Sequence, residues 1–194
     1  MFVNYLLSTG LVLSAAIYIF RIVVRRDYLQ KGKLTPVSVF LETVIFFMLG
    51  GFPYLYVPRE WPAVKLELSL EIVGWAILVA GLVLMLTGMG QLGVQRILGQ
   101  GSNSLEQRGL YSFSRNPQIL GCWLYVVGFT ALWPSWYALG WACLFWLVAH
   151  IMVLTEEEYL QSVFGEEFQK YCENVPRYIG RKSLIRGSKV GQKG

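Results

Sequence analysis

The stretch ILGCWLYVVGFTALWPSWYALGWACLFWLVAHIMVL, residues 119–154, decides the fold. It is apolar almost throughout, and Pro134-Ser135 interrupts it with residues that mark a turn. Backbone groups without hydrogen-bond partners are costly in lipid, so a turn there must be short or covered by protein. The stretch therefore predicts a tight helical hairpin, with a first arm over 119–133 that is shorter than a routine span and a second arm over 136–154.

Three longer apolar runs precede the hairpin, at 3–24, 37–57 and 70–89. At ~1.5 Å per residue, each is long enough to cross a hydrocarbon core of ~30 Å. With 55% apolar and only 15% charged residues, the composition is unlike that of ordinary soluble proteins. No basic segment precedes the first run and no small-residue cleavage site follows it, which indicates a retained anchor. We predict an all-α integral membrane protein with about five transmembrane helices, the hairpin supplying the last two.

The basic residues predict the orientation of these helices. They concentrate in the first connection (21–33), the third connection (96–115) and the tail (177–193), whereas in the 58–68 connection two basic residues are offset by two glutamates. By the positive-inside rule, the first and third connections and the C-terminus face the cytoplasm, and the N-terminus lies outside. The net charge of +5 is then explained by topology and by contact with anionic membrane lipids. We expect no nucleic-acid partner.

Two polar stretches have room for a functional site, one at 91–117 and one from residue 155 to the C-terminus. Neither is long enough for a doubly wound nucleotide-binding domain, whose βαβ units need ~30 residues each. The sequence at 88–93 spells G-x-G-x-x-G but closes an apolar helix, so we assign its glycines to helix packing and to a helix end. The cysteines lack paired spacing and His150 is the only histidine, so we expect neither a metal site nor disulfides.

The second polar stretch predicts a cytoplasmic amphipathic helix. Thr155 and Glu158 match a capping box, which would begin a helix there. Apolar residues then recur at helical spacing, at Leu160, Phe164, Phe168, Tyr171 and Val175. Three consecutive glutamates at 156–158 exceed the needs of a cap, and carboxylates at a lipid boundary are costly unless they are paired or functional. The start of this helix is therefore a candidate site.

Short motifs on both sides of the hairpin follow a known order. Before it stand Gly109-Leu110-Tyr111, Arg115-Asn116-Pro117 and Gly121. After it stand Glu156-Glu157-Glu158-Tyr159-Leu160, the segment from Phe164-Gly165 to Tyr171, and Val175-Pro176-Arg177. Over about the C-terminal half of the chain, these motifs resemble the isoprenylcysteine carboxyl methyltransferase family and its relatives among membrane methyltransferases, including the phospholipid methyltransferases.

The resemblance implies that S-adenosylmethionine binds in a cytoplasmic pocket covered by the C-terminal helix, and that a lipophilic or prenylated substrate arrives from the bilayer. It divides the chain into the first three transmembrane helices (1–90), a methyltransferase core (91–180) and a basic tail (181–194). Arg115 and Glu156 are the candidates for catalysis. The residues placed at the cofactor by position are Gln95, Asn103, Ser104, Leu105, Glu106, Tyr111, Asn116, Pro117, Gln118, Ile119 and Glu156.

Two departures from the family pattern bear on the acceptor. Asn116 stands where many relatives have histidine, so no histidine base acts there. Met152 stands near an arginine that some relatives use for the substrate carboxylate, and Arg115 or another basic residue would have to replace it. A carboxylate acceptor needs no base, whereas an amine must lose a proton. The lack of histidine in both polar stretches thus favours carboxyl O-methylation of an isoprenylcysteine-like substrate.

Two alternatives stay open. The first is N-methylation of an amino phospholipid on the same scaffold. The second is a non-enzymatic membrane transporter or structural protein. Glu42 is the only clear acidic residue within an apolar run, and a transport pathway usually contains more charged groups. Cofactor binding separates the enzymes from the other proteins, and acceptor chemistry separates the two enzymes from each other.

Overall fold

The computed structural model describes residues 2–50, 67–100 and 104–180, and all regular structure in these ranges is helical. The first helix, α1 (Phe2–Tyr18), continues through a π-helical segment (Ile19–Val24) into α2 (Arg25–Lys31). The remaining helices are α3 (Pro36–Gly50), α4 (Leu68–Leu92), α5 (Val94–Ile97), α6 (Pro117–Leu132), α7 (Trp136–Phe164) and α8 (Glu166–Asn174). A single 3₁₀ turn (Gly109–Ser112) lies in the loop before α6.

Three of the helices are long and apolar enough to cross a membrane: the 30-residue helix Phe2–Lys31, then α4 and α7. The apolar helices α3 and α6 are shorter. The 16 residues of α6 rise ~24 Å, less than a hydrocarbon core of ~30 Å. The all-helical membrane architecture is thus confirmed, while the count of five crossings and their orientation stay predictions. The basic tail (181–194) and most of the 58–68 connection lie outside the described residues.

The predicted hairpin is present, but its first helix packs most closely on α4. Residues 133–135 join α6 to α7, and the Ser135 hydroxyl accepts a hydrogen bond from the Ala138 amide (3.1 Å), which caps α7. Glycines bring the α4 and α6 backbones together. A Cβ atom on Gly121 would lie 2.7 Å from Met85 Cα, and one on Gly128 would lie 2.5 Å from the Leu78 amide nitrogen. Glycine permits this close approach, as it does between many membrane helices.

The predicted helix start at Thr155 is wrong. Helix α7 runs without interruption through this position, where the Thr155 hydroxyl donates to the Ile151 carbonyl one turn earlier (3.0 Å). The helix ends instead at Gly165, whose φ of +49° favours glycine. The amphipathic segment that follows is the short helix α8, which buries Phe168 and Tyr171 in a cluster with Leu105, Leu160, Phe164, Cys172 and Val175. Helix α8 thereby covers the loop before α6.

The N-terminal helix is attached to α7 near the same end of the molecule. Glu158 accepts a hydrogen bond from Arg25 (2.6 Å) and forms an ion pair with Arg21 (2.7 Å). One turn further along α2, Tyr28 stacks on Tyr159 with ring centroids 4.4 Å apart. These contacts bring Tyr28, which is remote in sequence, to the wall of the cavity described next.

Candidate active site

A polar cavity lies between the loop before α6, the last turns of α7 and helix α8. Eight of the residues predicted at the site line it: Ser104, Leu105, Glu106, Tyr111, Arg115, Asn116, Gln118 and Glu156. They come from two polar stretches that the whole hairpin separates in sequence, so the fold brings the two stretches together. Both predicted catalytic residues, Arg115 and Glu156, are among them.

The other predicted site residues lie elsewhere or outside the described part. Pro117 is buried as the first residue of α6, where its fixed φ suits a helix start, and it is not part of the cavity wall. Ile119 faces a neighbouring apolar cavity instead. Gln95 belongs to α5, but its side chain lies outside the described part of the structure, as does the whole of Asn103.

Several wall residues were not predicted as site residues, among them Tyr28, Arg96, Glu157, Phe168 and Tyr171. Phe168 and Tyr171 are among the apolar residues that recur at helical spacing after Thr155. That spacing indicated burial but not contact with a ligand. Arg96 fitted the positive-inside pattern and so gave no separate signal. Tyr28 reaches the wall only through the packing of α2 on α7, which no local sequence pattern reveals.

The three consecutive glutamates have three different environments, because successive helix positions point about 100° apart. Glu158 is held by Arg21 and Arg25. Glu157 is held by Arg115 (2.9 Å) and by Arg177 (2.6 Å). Glu156 faces the cavity and has no hydrogen-bond or ion-pair partner among the residues that the structure describes. Of the three carboxylates, Glu156 is thus the one available to a ligand.

Glu157 joins Arg115 to Arg177, and we call these three residues the arginine clasp. The side chains of Arg115 and Glu157 are only 12% and 13% exposed. The hydrogen bond that Arg177 donates to Glu157 is the main cause that raises the pKa of Arg177 above its usual value. Arg115 also donates its backbone N–H to the Pro176 carbonyl (2.9 Å). The clasp therefore fastens the segment after α8 to the loop before α6 and covers one side of the cavity.

We expect Arg177→Ala to loosen this C-terminal cover. The substitution leaves Glu157 with one cation instead of two, at a cost of about 1–2 kcal/mol after discounting for the partial exposure of Arg177. Hydrogen exchange should accelerate in α8, while exchange in α4 should stay unchanged. Lys170→Ala is the matched control, since Lys170 is exposed on α8 and forms no ion pair within the described residues. Equal exchange in both variants would show that the clasp does not hold the cover.

Two tyrosines fix the loop before α6. The Tyr111 hydroxyl donates to Gln118 Oε1 (2.9 Å), and the Tyr171 hydroxyl donates to the Tyr111 carbonyl (2.6 Å). Burial raises the pKa of both phenols, so both remain protonated donors at neutral pH. Gly88 of α4 packs against Gln118, where a Cβ atom would lie 2.9 Å from the Gln118 amide nitrogen. The cavity wall is therefore tied to the α4–α6 contact.

A much larger apolar cavity adjoins the polar one. Its volume is about 680 Å³, against about 70 Å³ for the polar cavity, and it lies between α3, α4, α6 and α7. This volume is within the ~300–1,000 Å³ typical of small-molecule sites. Met152 is among its wall residues. The two cavities share Tyr28, Leu92, Arg96, Gln118 and Glu156. Glu156 therefore stands where a polar compartment meets an apolar one.

His150 takes no part in either cavity wall. Its Nδ1 atom lies 3.0 Å from the Tyr178 hydroxyl, and Trp146 stacks on its ring. Burial raises the pKa of Tyr178 to about 12, which keeps this hydroxyl protonated. His150 is thus a packed side chain.

Residues 70–167 match the family described as phospholipid methyltransferase. The match takes in half of the chain, from α4 to the beginning of α8. The chain belongs to the phospholipid methyltransferase family. Searches of the curated proteins and of the solved structures gave no match. Membership of the phospholipid methyltransferase family confirms the predicted relationship to membrane methyltransferases. Together with three apolar helices of sufficient length, it makes this chain an integral membrane methyltransferase.

Proposed function

We propose that this protein transfers a methyl group from S-adenosylmethionine to a lipophilic acceptor. The polar cavity is the cofactor site and the apolar cavity is the acceptor site. The observation that carries the proposal is the position of Glu156, an unpaired carboxylate in the wall that both cavities share. A group-transfer site needs such a junction, because the two reacting molecules must meet there.

The charged groups of the polar cavity match those at the amino-acid end of the cofactor, and the cavity as it stands, about 70 Å³, holds only part of the molecule. Its amino-acid end carries an ammonium group and a carboxylate, and the cavity offers a group for each. Glu156 is an acceptor without a partner in the described residues. The Nε atom of Arg115 is a buried donor that lacks a hydrogen-bond partner there. Ser104 and Glu106, which both bind Arg96, line the same cavity. Glu156, unpaired among the described residues, can pair with the ammonium group of such a ligand, and Arg115, whose charge Glu157 already binds, retains one N–H group for the carboxylate.

S-adenosylmethionine, when bound, supplies an electrophilic methyl group on a sulfonium. Its methyl carbon would take the new bond from the nucleophilic atom of the acceptor as the C–S bond breaks, with the electron pair left on sulfur. The protein aligns the acceptor and excludes water, which together supply much of the barrier reduction for such a displacement. An ammonium acceptor must first give up a proton, and the Glu156 carboxylate receives it.

Our first candidate for the acceptor is the amine of an amino phospholipid. An unpaired carboxylate at the junction attracts an ammonium head group and can deprotonate it, whereas it repels a carboxylate. The second candidate is the carboxyl group of an isoprenylcysteine-like lipid. It is favoured by the absence of histidine from both cavity walls in the described part, since carboxyl methylation requires no base.

A thermal-shift titration of the detergent-purified protein with S-adenosylhomocysteine tests the cofactor site. A ligand that binds only the folded state adds about 2.7 kcal/mol at 100 times its Kd, so we expect a saturable rise in Tm. No rise in a folded preparation would overturn the proposal. Transfer of a labelled methyl group to phosphatidylethanolamine should exceed transfer to a farnesylcysteine analogue. The reverse order would move the assignment to the second candidate.

A further inference from the structure

Helix α3 carries a carboxylate into the apolar cavity. Glu42 is the only charged residue of this helix, whose other cavity-facing residues include Val39 and Phe46. The helix belongs to an apolar run, where a charged side chain is costly unless it is paired or functional. An ionised Glu42 side chain therefore needs a partner that offsets this cost.

The described residues provide no cation for Glu42. No hydrogen bond or ion pair joins it to any of them, and the nearest acidic neighbour along the cavity wall, Glu156, repels it. Arg96 lines the same cavity, but its guanidinium pairs with Glu106 (3.3 Å) and donates to the Ser104 carbonyl (2.9 Å). Among the described residues, the wall of the apolar cavity thus has two carboxyl groups without a cationic partner and one arginine whose charge is already paired.

We propose that Glu42 is a specificity-determining residue, which binds the amine of the acceptor and disfavours acceptors with a carboxylate head. The proposal rests on the proposed function. Glu156 lines both cavities, whereas Glu42 lines only the apolar one, so Glu42 contacts the acceptor and not the cofactor. Glu42 also lies outside the family match at 70–167, so it is not part of the segment that defines the family.

The two carboxylates divide the handling of the acceptor. Glu42 pairs with the ammonium form and draws it into the cavity from the lipid. Glu156, at the junction, removes the proton before transfer. The apolar walls accept the lipid chains and keep water away, which strengthens the attraction between Glu42 and an ammonium group. An ammonium head group can pair with either carboxyl group, whereas a carboxylate head group meets no cation there that lacks an acidic partner among the described residues.

The kinetic test is Glu42→Gln in the full-length protein. We expect the KM for phosphatidylethanolamine to rise about tenfold, equivalent to ~1.4 kcal/mol. The kcat should change less than threefold, and the Tm rise with S-adenosylhomocysteine should be unchanged. Glu71→Gln is the matched control, because Glu71 is an exposed glutamate of α4 that lines neither cavity. An unchanged KM in Glu42→Gln would overturn the proposal, and so would an equal rise in both variants.

A binding test does not depend on turnover. Dodecylamine and dodecanoate share one chain length and differ in the sign of the head-group charge, so the protein's preference for one over the other reports the charge of the cavity. We expect Glu42→Gln to reduce the preference for the amine about tenfold relative to wild type, and Glu71→Gln to leave it unchanged. Comparing variants in one detergent cancels partitioning into micelles. A preference unaffected by Glu42→Gln would overturn the proposal.

The proposed function and the role of Glu42 are contradicted by different experimental results. If the proposed function is wrong, wild-type protein shows no thermal response to S-adenosylhomocysteine. If only the assignment of Glu42 is wrong, the protein responds normally to that ligand, but its preference for the amine does not depend on Glu42. The amphiphile measurement decides the role of Glu42 in either case, because it needs neither cofactor nor methyl transfer.

Discussion

Gly81→Ala is expected to lower the free energy of unfolding by more than about 3 kcal/mol, at the upper end of what overpacking costs. A Cβ atom at this position would overlap the Tyr125 amide nitrogen and lie 2.7 Å from the Gly121 carbonyl oxygen. Both contacts are with backbone, which cannot rotate away as a side chain can. Helices α4 and α6 must therefore separate, and the wall of the polar cavity between Gly88 and Gln118 separates with them.

The matched control is Gly90→Ala. Gly90 lies on the same helix, and a Cβ atom there meets nothing within 4 Å. Alanine is a better helix former than glycine by up to ~1 kcal/mol, so this variant should be as stable as wild type or slightly more stable. Thermal unfolding in detergent compares the two. Equal midpoints would show that α4 and α6 do not pack backbone to backbone.

Glu156→Gln is expected to reduce kcat for an amine acceptor by at least about 100-fold, the lower limit for loss of a positioned base. The amide is nearly the same size as the carboxylate, but it cannot take a proton from the acceptor or pair with the cofactor ammonium. The protein should still fold, because the removed charge has no partner among the described residues. The Tm rise with S-adenosylhomocysteine should shrink as well.

The neighbouring glutamate provides the comparison. Glu158→Gln removes a charge that Arg21 and Arg25 bind from the outer side of the helix, away from the cavity. It should change kcat less than threefold, with only a small loss of stability. A Glu156→Gln enzyme as active as wild type, or as active as Glu158→Gln, would remove Glu156 from the mechanism.

The parts of the site that the sequence predicted are those built from local motifs. Tyr111, Arg115 and Asn116 lie in one short loop, and Glu156 begins the next polar stretch, so a family motif identifies them without knowledge of the packing. The same reasoning misplaced a helix start at Thr155. A capping box beside a run of carboxylates satisfies the local rules for a start, yet the hydrogen bonds of α7 continue through it.

The parts that the sequence did not predict depend on which helices touch. The glycines at 88–93 indicated helix packing, but not which helix would be the partner. Tyr28 and Glu42 face the cavities only because α2 and α3 pack beside α7, and neither residue stands in a recognisable motif. The wall of the apolar cavity comes from five separate segments of the chain, and no single segment of the sequence predicts the cavity.

The shared wall between the two cavities has an evolutionary consequence. The polar cavity draws most of its wall from the family-matched half of the chain, whereas α3, outside that half, closes one side of the apolar cavity. Under the proposed assignments, the chemistry of the methyl donor and the choice of acceptor would be encoded in separable parts of one gene. Changes in α3 would then redirect the enzyme to a new lipid without rebuilding the donor site, and one inherited reaction would diversify.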